Sequence, residues 1–148
     1  AIERNLVVSP AGLAAARYLE KTFHIPYTID NPLMTAWLAN QDDAAANTLA
    51  AAHTILIIHQ QITANALREA IKTAYPDCKI TCATWFQQHA ALTQPGDLHL
   101  REEDDLIAAV TDQAPDVIIA DPLFARALRD YAGRWIPFPH FAVSGGSH

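Results

Sequence analysis

Residues 54–86 decide the fold, and they read TILIIHQQITANALREAIKTAYPDCKITCATWF. The run at 55–58 is entirely Ile and Leu, which is typical of a strand covered on both faces inside a parallel sheet. Thr63 can cap the helix that follows, whose apolar stripe recurs at helical spacing between residues 66 and 71. A second strand is predicted at 79–85. Strand, helix and strand in this order predict a β-α-β unit with parallel strands.

The same alternation of strand and helix patterns extends along the chain in both directions. The predicted strands are 5–9, 26–29, 54–59, 79–85, 116–120 and 135–138. Helices are predicted at 11–23, at the alanine-rich 32–52, and at 102–113. Asp121-Pro122 is predicted to open a last helix, with Leu123, Ala127 and Leu128 facing inward.

This order of elements predicts an α/β fold with a doubly wound parallel sheet. The sheet is expected to be Rossmann-like, with about four core strands and an appended N-terminal β-α-β-α unit. The alanine-rich stretch 44–52 joins the two parts. The predicted division is therefore an appended unit at 1–53 and a Rossmann-like domain at 54–148.

Charge and hydropathy exclude two classes of partner. The 148-residue chain has 10 Lys and Arg against 16 Asp and Glu, for a net charge of −6, and its basic residues do not cluster. A nucleic-acid binder needs a basic face toward the phosphates, so we expect no nucleic-acid partner. We also expect no membrane insertion, because no apolar stretch approaches the roughly 20 residues of a membrane span.

The chain has two cysteines, Cys78 and Cys82. A structural zinc site needs four ligands at characteristic spacings, and these two thiols do not supply them. We interpret both as small, half-buried strand residues, because free cysteine is often buried. Free thiols and the lack of a signal-peptide pattern predict a cytoplasmic protein.

Polar side chains follow the predicted strands at the points where the strands end. In an open parallel sheet, ligands bind outside these carboxyl ends, and His and Asp are ordinary ligands of transition metals. The alternative is that such residues are polar only because loops are solvated. The residues on this rim are His59, Gln60, Gln88, His89, Asp121 and His140.

Other chemistries have less support in the sequence. The glycine fingerprints of phosphate loops and dinucleotide sites are missing, and Ser9 lacks the glycines of a nucleophile elbow. The acidic run at 102–105 is interpreted as helix capping on a solvated face.

Four stretches together resemble one family. NLVVSPAGLAAARYLEKTFHIPY, at 5–27, resembles a strand-loop-helix segment of the catalytic-component subunits of nitrogenase. Residues 54–86 fit the following β-α-β unit, residues 103–128 fit a helix and a Pro-Asp-hydrophobic strand, and residues 136–145 fit a segment ending in His, an aromatic stretch and Ser-Gly. The chain thus resembles the nitrogenase component 1-like superfamily over nearly its whole length, as the C-terminal part of a molybdenum-iron protein-like subunit.

The resemblance also implies site residues, with several departures. The family's cysteine ligand of the active-site cofactor matches Ser9, and its histidine ligand matches His140, the predicted metal ligand. A Gly-Gly pair beside the cofactor is replaced by Gln60-Gln61, and a Lys near it by Leu123. A neutral hydroxyl is a poor substitute for a thiolate on iron. We predict instead an anion or a polar heterocycle at the carboxyl edge, bound by Ser9, His59, Gln60, His89, Asp121 and His140.

The implied function is a domain of a nitrogenase component 1-like oxidoreductase or cofactor-assembly scaffold, inactive alone and lacking cluster cysteines. Members of the family use iron–sulfur or molybdenum–iron–sulfur clusters or bind tetrapyrroles, whereas the isolated chain is expected to hold no cofactor. Enzymatic activity is expected only within a longer or multi-subunit protein, as a homo- or hetero-oligomer served by an iron-protein-type reductase. The alternative is a non-redox module of the same fold that binds a small ligand or another subunit.

Overall fold

A five-stranded parallel sheet forms the body of the protein in a computed structural model, which describes residue 1 and residues 3–139. The elements, in chain order, are β1 (Asn5–Val7), α1 (Leu13–Phe23), β2 (Tyr27–Ile29), α2 (Leu33–Ala39), α3 (Asp43–Ala51), β3 (Thr54–Ile58), α4 (Gln61–Ala74), β4 (Lys79–Thr84), β5 (Leu98–His99), α5 (Glu103–Gln113), β6 (Val117–Ala120) and β7 (Arg134–Pro137). Short 3-10 turns lie at Pro10–Gly12, Ala90–Leu92 and Pro122–Arg126.

The strands of the main sheet lie in the order β5-β4-β3-β6-β7, and neighbouring strands are parallel. Ile55 and Ile57 of the central β3 pack with α4 on one face, while Leu56 and Ile58 pack with α5 on the other. The sheet is therefore doubly wound, which confirms the predicted fold class. From β3 the chain adds β4 and β5 on one side of the sheet, and it then crosses back to add β6 and β7 on the other side of β3. The boundary between β3 and β6 is therefore a topological switch point, where ligands of such sheets bind.

A second, two-stranded parallel sheet is formed by β1 and β2, and α1 packs on one of its faces. Val7 is 4% exposed and packs with Leu13 and Ala16, whereas its neighbours Leu6 and Val8 are 51% and 45% exposed. Successive residues of a strand point to opposite faces. The face that carries Leu6 and Val8, called the open face below, is therefore largely exposed to solvent.

The segment between the two sheets contributes to the larger one. Met34 of α2 and Leu49 of α3 belong to the same core cluster as Ile55 and Ile57. The division of the chain at residue 53 stays a prediction, since these two helices pack on the sheet that follows them.

The alanine-rich stretch 32–52 is not the single helix that its composition predicts. α2 ends at Ala39, and α3 begins after Asp42, whose carboxylate accepts a hydrogen bond of 2.8 Å from the N–H of Ala45. Aspartate is one of the strongest N-cap residues, so a new helix starts there despite the high helical propensity of alanine.

Two further helix predictions are wrong. Thr63 lies inside α4, and the side chain of Gln60 caps that helix instead. A 3-10 turn replaces the helix predicted after Asp121, because bonds such as Phe124 N–H to the Asp121 carbonyl close over three residues rather than four. Leu123 is accordingly exposed, although Leu128 is buried as predicted.

The main sheet has five strands rather than about four. The additional strand, β5, has two residues, which pair with Ala83 and Thr84 of β4. So short a strand has no recognisable apolar period. A turn at Gly96, whose φ is 89°, and contacts of Asp97 position it.

The helices of residues 1 and 3–139 include none that is both long enough and apolar enough to cross a membrane.

Candidate functional site at the carboxyl edge

The carboxyl edge of the main sheet is formed by the residues that follow its strands. Ile57 of β3 pairs with Ile119 of β6, so His59 and Asp121 continue these neighbouring strands by two residues beyond that pair. Asp121 is buried and His59 is partly buried. The structure therefore brings these two predicted site residues side by side at the switch point.

Three of the predicted site residues cap the turns that follow them. Side-chain oxygens of Ser9, Gln60 and Asp121 each accept a hydrogen bond from the N–H two residues further along, at 3.3, 2.9 and 2.9 Å respectively. N–H groups at such positions are the ones that bind anions in many α/β proteins. Here they are already satisfied by the protein's own side chains.

The amide group of Gln60 links the two sheets. Its Nε2 donates a hydrogen bond of 2.8 Å to the carbonyl of Val8, directly after β1, and another to the hydroxyl of Thr63. Ser9 follows Val8 directly, so this contact places Ser9 near the start of α4. Both the oxygen and the nitrogen of the Gln60 amide group therefore form hydrogen bonds within the protein.

Aromatic rings fill the α4 side of the carboxyl edge. The ring of His59 stacks on Phe138 with centroids 4.6 Å apart, and Phe138 in turn contacts Trp37 at 4.8 Å. The Nε2 atom of His59 lies 3.4 Å from the carbonyl oxygen of Pro139. This row of rings covers the ends of β3 and β7.

The α5 side of the same edge is covered by Trp85 and Phe124. Trp85 follows β4, Phe124 lies in the turn after β6, and their rings stack with centroids 5.8 Å apart. Sequence reasoning missed both residues because it considered only polar side chains at the ends of strands. An aromatic residue at the last position of the strand predicted at 79–85 was the signal that could have identified Trp85.

His89 is held by its backbone rather than by its ring. Gln61 accepts a bond of 2.8 Å from the N–H of His89 and donates one of 3.0 Å to its carbonyl, as well as one to Thr93. Asn65 and Arg68 extend this polar row along α4, with Asn65 bonded to the Leu92 carbonyl and Arg68 to Asp97. Sequence reasoning missed this row, although the polar positions 61, 65 and 68 recur at helical spacing.

The six predicted site residues thus fall into different surroundings. Ser9 and Gln60 meet through Val8, His59 and Asp121 are neighbours, and His89 lies on the loop after β4. His140 lies outside the described residues. Two of the larger cavities are elsewhere: one of about 530 Å³ is lined by α2 and α4, and one of about 490 Å³ includes Pro115 and Gly133, which lie just before β6 and β7.

Both cysteines belong to the core of the main sheet. Each thiol donates a hydrogen bond to a backbone carbonyl, Cys78 to that of Ala52 at 3.0 Å and Cys82 to that of Ala64 at 3.5 Å. Burial raises the pKa of Cys78, and it raises the pKa of Cys82 to about 12. Only the thiolate ligates metals. Across residue 1 and residues 3–139, no group of three or more His, Cys, Asp or Glu is arranged to hold a metal ion.

Comparisons with known proteins bear on the fold. No protein-family model matches the sequence, and no curated protein matches it. Among solved structures, a chain described as "Nitrogenase Cp1 at pH 6.5" matches 99% of this chain with a TM-score of 0.58 and 10% sequence identity. This chain spans 40% of the length of that chain. At this identity the likeness shows a distantly nitrogenase-like fold and no more.

Proposed function

We propose that this chain is a nitrogenase component 1-like domain of a larger oxidoreductase or cofactor-assembly scaffold, and that it holds no metal cluster of its own. The supporting observation is the likeness to the nitrogenase chain over 99% of the residues, which spans 40% of that longer chain. The larger protein would supply the electron-transfer centres and the contact with an iron-protein-type reductase.

The residues present do not fit an iron–sulfur or molybdenum–iron–sulfur cluster. Such clusters are held mainly by thiolates, whereas Cys78 and Cys82 are buried, bonded to backbone carbonyls and protonated at neutral pH. The hydroxyl of Ser9, at the position that resembles the family's cysteine ligand, caps its own turn. We therefore derive no redox step for this chain.

The ligand proposed for the carboxyl edge is an anion or a polar heterocycle, such as a tetrapyrrole. The groups offered by Ser9, His59, Gln60, His89 and Asp121 are hydroxyl, imidazole, amide and carboxyl groups. His140 stays the proposed metal ligand on the strength of the family resemblance alone. Side chains that cap turns and aromatic rings that pack together occupy much of this edge. The proposed role of the domain is therefore to form one wall of a pocket that another part of the larger protein completes.

Chemical-shift mapping tests this proposal. The ¹⁵N-labelled chain is titrated separately with a porphyrin carboxylate, a nucleotide and a divalent metal. The proposal expects perturbed amides to cluster at Ser9, Gln60, His89 and Asp121. Perturbations confined to the opposite edge, near Ala52, Asp77 and Pro115, would contradict it.

A second candidate function, binding of another subunit, is favoured by the open face of the small sheet. Parallel sheets are almost always covered on both faces, whereas Leu6 and Val8 are about half exposed. Tyr18 and Phe23 of α1 add a second exposed apolar pair, with ring centroids 6.3 Å apart. We propose a homo- or hetero-oligomeric contact at this N-terminal part.

Light scattering over a range of concentrations tests the second candidate. The chain is expected to self-associate or to bind an apolar dye, and replacing Leu6 and Val8 with Lys should reduce either signal. Replacing Leu123 with Lys, at another exposed apolar position outside the small sheet, serves as the matched control. A monomer without concentration dependence or dye binding would contradict it.

A further inference from the structure

A small polar cavity lies at the amino edge of the main sheet, where the strands begin, opposite to the carboxyl edge. Its volume is about 200 Å³, and its walls come from the starts of β3 and β4, the last turn of α5 and the residue just before β6. This volume admits a molecule of a few non-hydrogen atoms, since one water molecule takes up about 30 Å³ of the liquid. The lining residues are Thr54, Lys79, Thr81, Asp112, Gln113 and Pro115.

The floor of this cavity is formed by the α5 face of the sheet. Thr54 and Lys79 are direct partners in the pairing of β3 with β4, and Thr81 follows Lys79 by two residues, on the same face of β4. Ile80, between them, packs in the cluster on the opposite, α4 face. The hydroxyl oxygen of Thr54 accepts a hydrogen bond of 3.0 Å from the N–H of Asp116. The donors that the floor offers to a ligand are therefore the Lys79 ammonium group and the Thr81 hydroxyl.

The Thr81 hydroxyl group has no hydrogen-bond partner among the described residues, although Thr81 is only 8% exposed. Thr84, in the same strand, differs, because its hydroxyl oxygen accepts a bond of 3.3 Å from the N–H of Phe86. Buried polar groups in proteins are nearly always paired. An unpaired hydroxyl that lines a cavity therefore indicates a hydrogen-bond partner inside that cavity.

Opposite charges line the cavity without meeting. Lys79 on the sheet and Asp112 on α5 both contribute to its walls, yet they form no ion pair with each other. α5 ends at Gln113, and the C-terminal end of a helix carries partial negative charge. The sheet side of the cavity therefore suits an anionic group, and the helix side suits a cationic one.

We propose that this cavity binds a small zwitterion that carries one carboxylate and one ammonium group, of the size of a small α-amino acid. Its carboxylate accepts hydrogen bonds from the Lys79 ammonium group and the Thr81 hydroxyl. Its ammonium group lies against the Asp112 carboxylate and the end of α5. A simple anion would meet the like charge of Asp112, and a simple cation that of Lys79, without a second charge to offset the repulsion. The site is separate from the carboxyl edge and does not depend on the proposed function.

L-Alanine and two analogues that each lack one of its charged groups test the site. Propionate lacks the ammonium group, and ethylamine lacks the carboxylate. In ¹H–¹⁵N spectra of the intact chain, alanine should shift the backbone amides of Thr54, Thr81 and Gln113 in a saturable way at millimolar concentrations. Propionate and ethylamine should each bind at least about tenfold more weakly, because each loses one charge-assisted contact.

Three variants test the roles of individual side chains. Thr81→Val keeps the shape of the residue but removes the hydroxyl, and it should weaken alanine binding about three- to tenfold. Asp112→Asn should remove most of the preference for alanine over propionate, because the ammonium group loses its counter-charge. Thr73→Val, at an exposed position of α4 whose hydroxyl donates to the Glu69 carbonyl, is the matched control and should leave alanine binding unchanged.

Several outcomes would overturn the inference. It fails if the alanine shifts do not saturate, as they would not if the cavity held only water. It also fails if propionate or ethylamine binds as tightly as alanine, or if folded Thr81→Val binds alanine as the unchanged chain does. Alanine shifts confined to Ser9 or Gln60 would reject this cavity as well. The proposed function is tested with other probes at other residues, so its outcome stays separate from this one.

Discussion

The carboxylate of Asp97 and the guanidinium of Arg68 form a two-point salt bridge, with N–O distances of 2.6 and 2.9 Å and side chains that are 5% and 1% exposed. Asp97 also accepts hydrogen bonds from the backbone N–H groups of Cys82 and Gln94. Although burial alone would lower the pKa of Arg68, its hydrogen bonds to Asp97 raise that pKa above the ordinary value. Asp97 thus connects Arg68 of α4 with Cys82 of β4. Cys82 lies just before the two residues of β4 that pair with the short strand β5.

Asp97→Asn should destabilise the fold strongly. The change leaves the buried Arg68 without a counter-charge, so we expect a loss of roughly 3–5 kcal/mol in the free energy of unfolding, measured by urea denaturation. The double variant Arg68→Met, Asp97→Asn removes the charge as well and should recover part of this loss. A double variant that is less stable than Asp97→Asn alone would contradict the role given to the pair.

Gln60→Ala should weaken the junction between the two sheets. The change removes the cap of α4 and the bond to the Val8 carbonyl, and we expect a loss of about 1–2 kcal/mol in the free energy of unfolding. Hydrogen exchange should accelerate at the Ile62 amide, which the cap protects. Gln87→Ala, at an exposed position, is the matched control and should change little. Equal effects of the two substitutions would argue against the junction.

Gly133→Ala tests a close approach of the backbone to Tyr131. A Cβ atom at position 133 would meet the Tyr131 ring, which bonds through its hydroxyl to the carbonyls of Pro115 and Arg134. The ring must therefore move, and we expect Gly133→Ala to cost about 1–3 kcal/mol of stability, as overpacking does. The same change in a Tyr131→Ala background should cost clearly less. Additive losses in the double variant would contradict this explanation.

Stability should fall as the solution becomes alkaline. Burial raises the pKa of Cys82 from 9.0 to about 12, so the folded state keeps this proton at a pH where the unfolded state has lost it. The unfolded state then binds fewer protons, and rising pH favours unfolding. Denaturation midpoints measured from about pH 8 to 10 should decline, and Cys82→Ala should flatten the decline. An unchanged slope in that variant would contradict the assignment.

The long, repetitive parts of the fold were predictable from sequence. The Ile-rich run of β3 and the apolar stripe of α4 give strong periodic patterns, so their type and order are confirmed. Short-range polar contacts were less predictable. Asp42 divides the alanine-rich helix, and Gln60 rather than Thr63 caps α4. Asp97 accepts the N–H of Cys82 in β4, directly before β5 begins to pair with that strand.

The sequence predicted at which edge of the main sheet the candidate site lies, but not the contacts that its residues make there. Strand polarity indicates that His59 and Asp121 follow neighbouring strands, because the carboxyl ends of parallel strands meet. Strand polarity does not reveal which polar atoms already form hydrogen bonds within the protein. Ser9 and Gln60 cap turns, and the Trp85–Phe124 pair depends on a meeting of two loops that are far apart in sequence.

Anaerobic reconstitution tests the central claim most directly, namely that this nitrogenase-like domain holds no iron–sulfur cluster of its own. The chain is incubated with ferrous iron, sulfide and a thiol reductant, desalted, and assayed for protein-bound iron and sulfide, with Cys78→Ala, Cys82→Ala as the control. We expect far less than one iron atom per chain, at the same level in both proteins. Stoichiometric iron and sulfide that remain on the folded chain, and are lost in the control, would contradict the account.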